Sequence, residues 1–354
     1  MTLPKYSVFS LLLIFAVFFE RTSLAFAGVK LIPPAVGVYH SAHPYFGLYD
    51  DEVDIEEAKT FTSLAGKMIV WSYISFNWFE GIEFPVESCR TLHKNGIVPL
   101  VGIMPWSSPV QGRVEQLYTL DAILRGDFDG NLARCAKDAA SLGFPIMAEF
   151  GPEANGSWFP WSGAWNGGSS DIYGERGLPD GPERFRDAYR HVVDIFRSAG
   201  AVDVTWVFHV SSSASPNEAW NSAKNYYPGD EWTDWIGISL YGRLRGDAPA
   251  ESFESVIKKV YPGLCSISYK RPIAILEFGV TENHRLADKA GWIRSALDSI
   301  NSGNYPRLRA ISWWNKKFRP DGSRSTLEIN SSQASLEAYR NGVKNLVDRP
   351  SWSE

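Results

Sequence analysis

The sequence predicts an α/β protein built as one (β/α)8 barrel, a TIM barrel, and three observations predict it. Eight short apolar runs alternate with segments of helical period. No glycine-rich phosphate turn follows the first run, where "YHSAHPYFG" stands, so an open dinucleotide-binding sheet is disfavoured. No linker or low-complexity stretch divides the 354 residues, a length that a barrel can use as a single domain.

The strands are read in order at Ala35–Ala42, Lys67–Phe76, Ile97–Trp106, Pro145–Gly151, Val204–Ser212, Trp235–Gly242, Pro272–Gly279 and Leu308–Asn315. Helices are read between them. Glu56–Gly66 ends on a capping glycine, and Pro85–Gly96 opens with proline and closes with glycine. Asn131–Gly143 precedes the fourth strand. Pro182–Gly200 puts Phe185, Ala188, Tyr189, Val192, Ile195 and Phe196 on one face. Ser252–Tyr261, Lys289–Ile300 and Gln333–Val347 complete the set. The longest irregular stretch, about Asn155 to Gly181, follows the fourth strand, where a barrel places loops of its active face.

Composition narrows the chemistry. Hydrophobic residues are 44% and charged residues 21%, enough for a large core. A net charge of −5 argues against a nucleic-acid surface. Aromatics reach 14%, with 14 Trp, and flat apolar faces carrying one polar handle suit sugars. Cys89, Cys135 and Cys265 form no metal motif or disulfide framework and are read as buried small hydrophobes. Residues 1–27 are read as an export signal. Lys5 precedes the apolar run Ser7–Phe19, and Ala25-Phe26-Ala27 offers a cleavage site before Gly28. That leaves 28–354 as the barrel of a secreted or periplasmic protein, whose only tie to a membrane is the signal.

In a parallel barrel the chemistry sits at the C-terminal strand ends. Glu153 follows the fourth strand and Glu277 lies in the seventh. Glycoside hydrolysis needs two carboxyl groups flanking the scissile bond, one protonated and one ionised. A separation of about 5–5.5 Å is expected if configuration is retained. Tyr241 ends the strand beside that of Glu277, where a phenol can hold the carboxylate ionised. Trp106, Trp158 and Trp161 stand at strand ends or just beyond, as do Trp313 and Trp314, of which alternation puts only one inside the barrel. Asp234 precedes the sixth strand as an ion-pair partner or a site residue. His40 and His43 end the first strand, where a cleft residue fits, and His209 can point inward from the fifth. His93, His191 and His284 read as surface or packing residues. With no H-E-x-x-H and no Cys/His cluster, neither a metal nor another cofactor is expected. "GISLYG" is not a serine-esterase elbow.

The blocks "EANGSWFPW", "YYPGDEWTDWIGISLYG", "PIAILEFG" and "KAGWIRSALDSI…YPRLRAISWWN" resemble, in order, those of glycoside hydrolase family 26, the β-mannanases and related endo-β-glycanases. The resemblance covers most of Ala35 to about Val347. It implies a (β/α)8 barrel that hydrolyses β-linked polysaccharide with retention. Glu153 matches the acid/base, Glu277 the nucleophile and Tyr241 the tyrosine bonded to the nucleophile. Trp158 and Trp106 match aromatics on the leaving-group side, and Trp313 or Trp314 the floor under the cleaved sugar. Asp234 matches a position close to the site. The chain departs from the family's R-x-x-H-E pattern: Glu149 stands for the Arg and Pro152 for the His. That removes a sugar contact and adds a carboxylate below Glu153, which is expected to make Glu153 harder to ionise. The expected enzyme is an exported monomer acting on poly- or oligosaccharide. The rival expectation is a barrel that binds polysaccharide with little or no catalysis.

Overall fold

The computed structural model describes residues 28–47, 49–244, 251–282, 288–317 and 326–353. The expected export signal and His284 lie outside these residues. Eight parallel strands form the barrel: β2 (Tyr39–His43), β3 (Trp71–Asn77), β4 (Val98–Met104), β5 (Ile146–Phe150), β6 (Val204–Ser211), β7 (Trp235–Tyr241), β8 (Ile273–Gly279) and β9 (Leu308–Trp314). The sheet order is β2-β9-β8-β7-β6-β5-β4-β3. Its two ends meet where Val70 N–H donates to the His40 carbonyl at 2.9 Å and Trp71 N–H to Ser41 Oγ at 3.0 Å. The expected (β/α)8 fold is therefore the observed one.

Helices α1 (Ile55–Ala65), α2 (Val86–Lys94), α4 (Asp129–Ser141), α5 (Asp180–Ser198), α7 (Phe253–Ile267), α8 (Lys289–Asn301) and α9 (Gln333–Val343) surround it, with short α3 (Leu120–Leu124) and α6 (Ala223–Tyr226) beside α5. Local chemistry sets their ends. The Asp54 side chain accepts from Glu56 N–H at the start of α1, and Gly66 closes it at φ 67°. The α7 helix runs past Pro262, where the sequence suggested a stop. Val256 and Ile257 before the proline and Leu264 after it are all buried, so packing outweighs the lost hydrogen bond.

Two cores result from strand alternation. Phe150, Phe208, Phe278 and Trp313 face the helices. Tyr39, Trp71, Tyr73, Leu100, Met147, Val207, Trp235 and Leu276 fill the interior. A small antiparallel pair unforeseen in the sequence, β1 (Leu31–Ile32) with β10 (Ser351–Trp352), covers the N-terminal end of the barrel. There Trp235 Nε1–H donates to the Leu31 carbonyl at 2.8 Å. That end is plugged, and the opposite end carries the loops.

Candidate active site

Glu149 points inward from β5, two places beyond Met147 of the interior core, and is 1% exposed. After Phe150 the chain turns sharply, with Gly151 at φ 58° and Glu153 at φ 55°. A Cβ on Gly151 would lie 2.8 Å from the Phe185 ring and 3.0 Å from Trp161, so glycine is required both by φ and by space. A non-glycine residue at positive φ is uncommon, and such strain clusters at functional sites. Three hydrogen bonds hold the turn. Glu153 N–H donates to the His209 carbonyl at 3.1 Å, Gly156 N–H to the Glu153 carbonyl at 2.8 Å, and Trp161 Nε1–H to the Pro152 carbonyl at 2.7 Å. Asn155 pins the next loop to β6: its Oδ1 accepts from Ser211 N–H and its Nδ2 donates to the Ser211 carbonyl. The half-buried Trp158 donates Nε1–H to Glu153 Oε2 at 2.7 Å.

Glu277 is brought to the same mouth by an irregularity in β8. Register shifts occur at Ile238/Ser239 against β7 and between Ile275 and Phe278 against β9. Strict alternation would turn Glu277 toward the helices, because Leu276 already fills the interior. The irregularity lets two successive side chains face inward, after which Phe278 resumes the outer side. Tyr241 O–H donates to Glu277 Oε2 at 2.7 Å. Desolvation and the Glu153 carboxylate push Glu277 up to about 8, against the opposing influence of His209 and Tyr241. Glu149 adds a further negative field that raises Glu277.

Glu149 does not stand beneath them as a bare charge. Its Oε2 lies 2.9 Å from His209 Nδ1, and His209 Nε2 lies 2.8 Å from Ser239 Oγ. The pairing explains how a carboxylate can occupy the barrel core.

The aromatics divide by register. Trp314 faces the mouth, 4.2 Å from the His43 ring and 5.8 Å from Tyr73. Trp313 is fully buried on the helix side, where its Nε1–H donates to the Leu327 carbonyl and its ring meets Phe278 and Tyr339. Trp106 is buried in a cluster with Phe79, Phe159 and Trp161, its Nε1–H bonded to Asn77 Oδ1 at 2.9 Å. Its ring is enclosed and offers no open face to the mouth.

Two expected site residues lie elsewhere. His40 points outward from β2, opposite in parity to Tyr39, and packs on Phe61 and Tyr339. Its ring nitrogens meet the Met68 carbonyl and Tyr339 Oη, and burial lowers it to about 4, so it is a neutral core histidine. Asp234 sits before β7, at the plugged end. Its carboxylate accepts from Trp206 N–H at 2.8 Å and pairs with Lys30 at 3.3 Å. It is the ion-pair partner, because a residue preceding a barrel strand lies opposite the mouth. The inward residue of the first strand is His43, 3.1 Å from Asp50, which is also paired with Lys316. His40 and His43 are three apart, so alternation allows only one of them inside.

Comparison with known proteins gives three kinds of likeness. The family model described as Glycosyl hydrolase family 26 matches residues 119–266. Endoglucanase H of Acetivibrio thermocellus is 30% identical over 288 residues, 80% of this chain and 28% of that protein. The mannan endo-1,4-beta-mannosidase of Bifidobacterium adolescentis is 25% identical over 233 residues, 61% of this chain and 21% of that protein. The chain therefore spans a quarter or so of the length of these two relatives. Among solved structures, the catalytic domain of a Bacillus sp. JAMB-750 endo-beta-1,4-mannanase superposes with a TM-score of 0.63 at 15% identity. It covers 87% of this chain and 86% of that one. At that identity the likeness concerns the fold.

Proposed function

Over residues 119–266 the chain belongs to glycosyl hydrolase family 26, and on that premise we propose that it is an exported, retaining endo-β-glycanase. The observation that carries the reading is the convergence of Glu153 and Glu277 from the ends of two strands onto one mouth, each with its own hydrogen-bond donor. Glu153 protonates the glycosidic oxygen while Glu277 attacks the anomeric carbon. The sugar is then carried on Glu277. Water, deprotonated by Glu153, attacks the same carbon, frees Glu277 and returns the proton to Glu153. Tyr241 donates to the ionised form of Glu277, which favours attack. Trp314 is the sugar platform on the cleaved side, and Trp158 borders the leaving group.

The substrate is a β-linked glucan or mannan chain. Both relatives' names describe endo-acting enzymes, one on a glucan and one on mannan. Pro152 stands where the mannanase pattern has a polar neighbour to Glu153, so a sugar contact of that pattern is missing and the substrate extends beyond mannan to related β-glucans. The apolar run Ser7–Phe19 and the Ala25–Ala27 site support export. The test is reducing-sugar release from glucomannan, galactomannan, mixed-linkage β-glucan and β-1,3-xylan. Release from at least one, lost in Glu153→Ala and in Glu277→Ala, is expected. Binding without release, unchanged in both variants, would establish the non-catalytic barrel instead.

A further inference from the structure

The interior directly below the two carboxyls is ionic, not apolar. Glu149 on β5, His209 on β6 and Ser239 on β7 form one hydrogen-bonded row across three adjacent strands. Ser239 is the register partner of Glu277 on β8. The row therefore ends beside the carboxyl that must be ionised for attack. All three residues are nearly inaccessible, at 1%, 4% and 2% exposure. No water-facing role explains a charge there, and its two hydrogen bonds fix the imidazole plane from both sides.

We propose that His209 is the positioning residue of this site: held as an imidazolium between Glu149 and Ser239, it supplies the positive charge that keeps Glu277 ionisable. The inference rests on the glycanase reading for its consequence, but the charge arrangement stands on the geometry. It also gives a reason for the departure at Glu149. An acidic residue in the barrel core is tolerable because it anchors His209, and a basic group is thereby delivered from β6.

The electrostatics agree. Burial alone would lower His209, but the carboxylate of Glu149, with added fields from Glu277 and Glu153, lifts it to about 9. The groups facing this imidazole are Glu149 and Glu153 from β5 and its turn, Glu277 from β8, and Ser239 from β7, the strand that also ends in Tyr241. Tyr73, from β3, lies across Gly102, where a Cβ would be 1.9 Å from its hydroxyl, and it senses both Glu149 and Glu277. Among these described neighbours the ionisable groups are acids, and Glu149 raises Glu277 while the larger influence of His209 lowers it.

The experiment is a 13C NMR titration of the full chain, labelled at glutamate carboxyls and histidine rings. The signals are assigned by their loss in His209→Gln and Glu277→Gln. His209 should stay protonated through pH 8 and titrate at least one unit lower in Glu149→Gln. Glu277 should titrate at least one unit higher in His209→Gln. On any glycan that is cleaved, the acidic limb of kcat/KM should move up by the same amount, about tenfold in rate at pH 6, with KM within twofold. A neutral His209 at pH 7, or an unmoved Glu277 signal in His209→Gln, overturns the proposal. If His209→Gln does not fold, the wild-type and Glu149→Gln titrations of His209 decide it. The titrations need no sugar release. Failure of the glycanase reading therefore leaves them readable, and release with an unmoved Glu277 sinks this inference alone.

Discussion

Trp158 Nε1–H ends 2.7 Å from Glu153 Oε2, so the indole expected to border the cleft also holds the carboxyl of its own turn. Hydrogen bonds to charged groups contribute about 1.5–3 kcal/mol. Trp158→Phe keeps an aromatic wall and removes the donor. The variant should keep its melting temperature within a few degrees while kcat/KM falls about tenfold or more on the preferred glycan. An unchanged kcat/KM would mean that the bond has no part in turnover.

Tyr241 donates to Glu277, which burial and Glu153 already push up to about 8. Tyr241→Phe removes a donor that favours the ionised form, so Glu277 rises further. As the proposed nucleophile Glu277 must be ionised, and the fraction ionised at a given pH therefore falls. The acidic limb of the kcat/KM profile should shift to higher pH by about one unit. The loss should be greatest on the acid side and shrink as pH increases.

Gly151 has φ 58°, and a Cβ there would meet Phe185 and Trp161. Gly151→Ala should cost about 2–4 kcal/mol through backbone strain and overpacking together. Because Glu153 lies two residues on, activity per folded molecule should also fall. Denaturant unfolding and active-site titration separate the two effects.

His40 and Asp234 supply the contrary case. His40 is packed among Phe61 and Tyr339, and Asp234 pairs with Lys30 at the plugged end. Asp234→Asn should lower stability by about 1–3 kcal/mol. His40→Gln should do likewise through lost packing. Neither should change KM for the folded fraction by more than twofold. A KM effect from either would restore that residue to the cleft.

Much of this was readable in the sequence, because a parallel barrel converts position along a strand into height. Glu153 after the fourth strand and Tyr241 at the end of the sixth were bound to reach the mouth. What alternation alone could not supply was absolute phase. It established that one of Trp313 and Trp314 faces inward, but their contacts decide for Trp314. The same parity separates His43 from His40, and the strand start four residues later than read hid it. Asp234 was misplaced by its neighbourhood in the sequence, although its place before a strand points to the other end. Glu277 runs the opposite way: strict period-two counting would have turned it outward, and only the register shift beside it brings it in. Glu149–His209 was invisible because the partner strands lie 60 residues apart in sequence.

The most direct measurement is mass spectrometry of the chain after reaction with 2-deoxy-2-fluoro glycosyl fluorides of gluco and manno configuration. Slow turnover should leave one sugar covalently attached, mapping to the peptide that carries Glu277, with accumulation increased in Glu153→Ala. A chain that cleaves polysaccharide yet carries no adduct, or carries it on Glu153, would contradict the assignment of the two carboxyls.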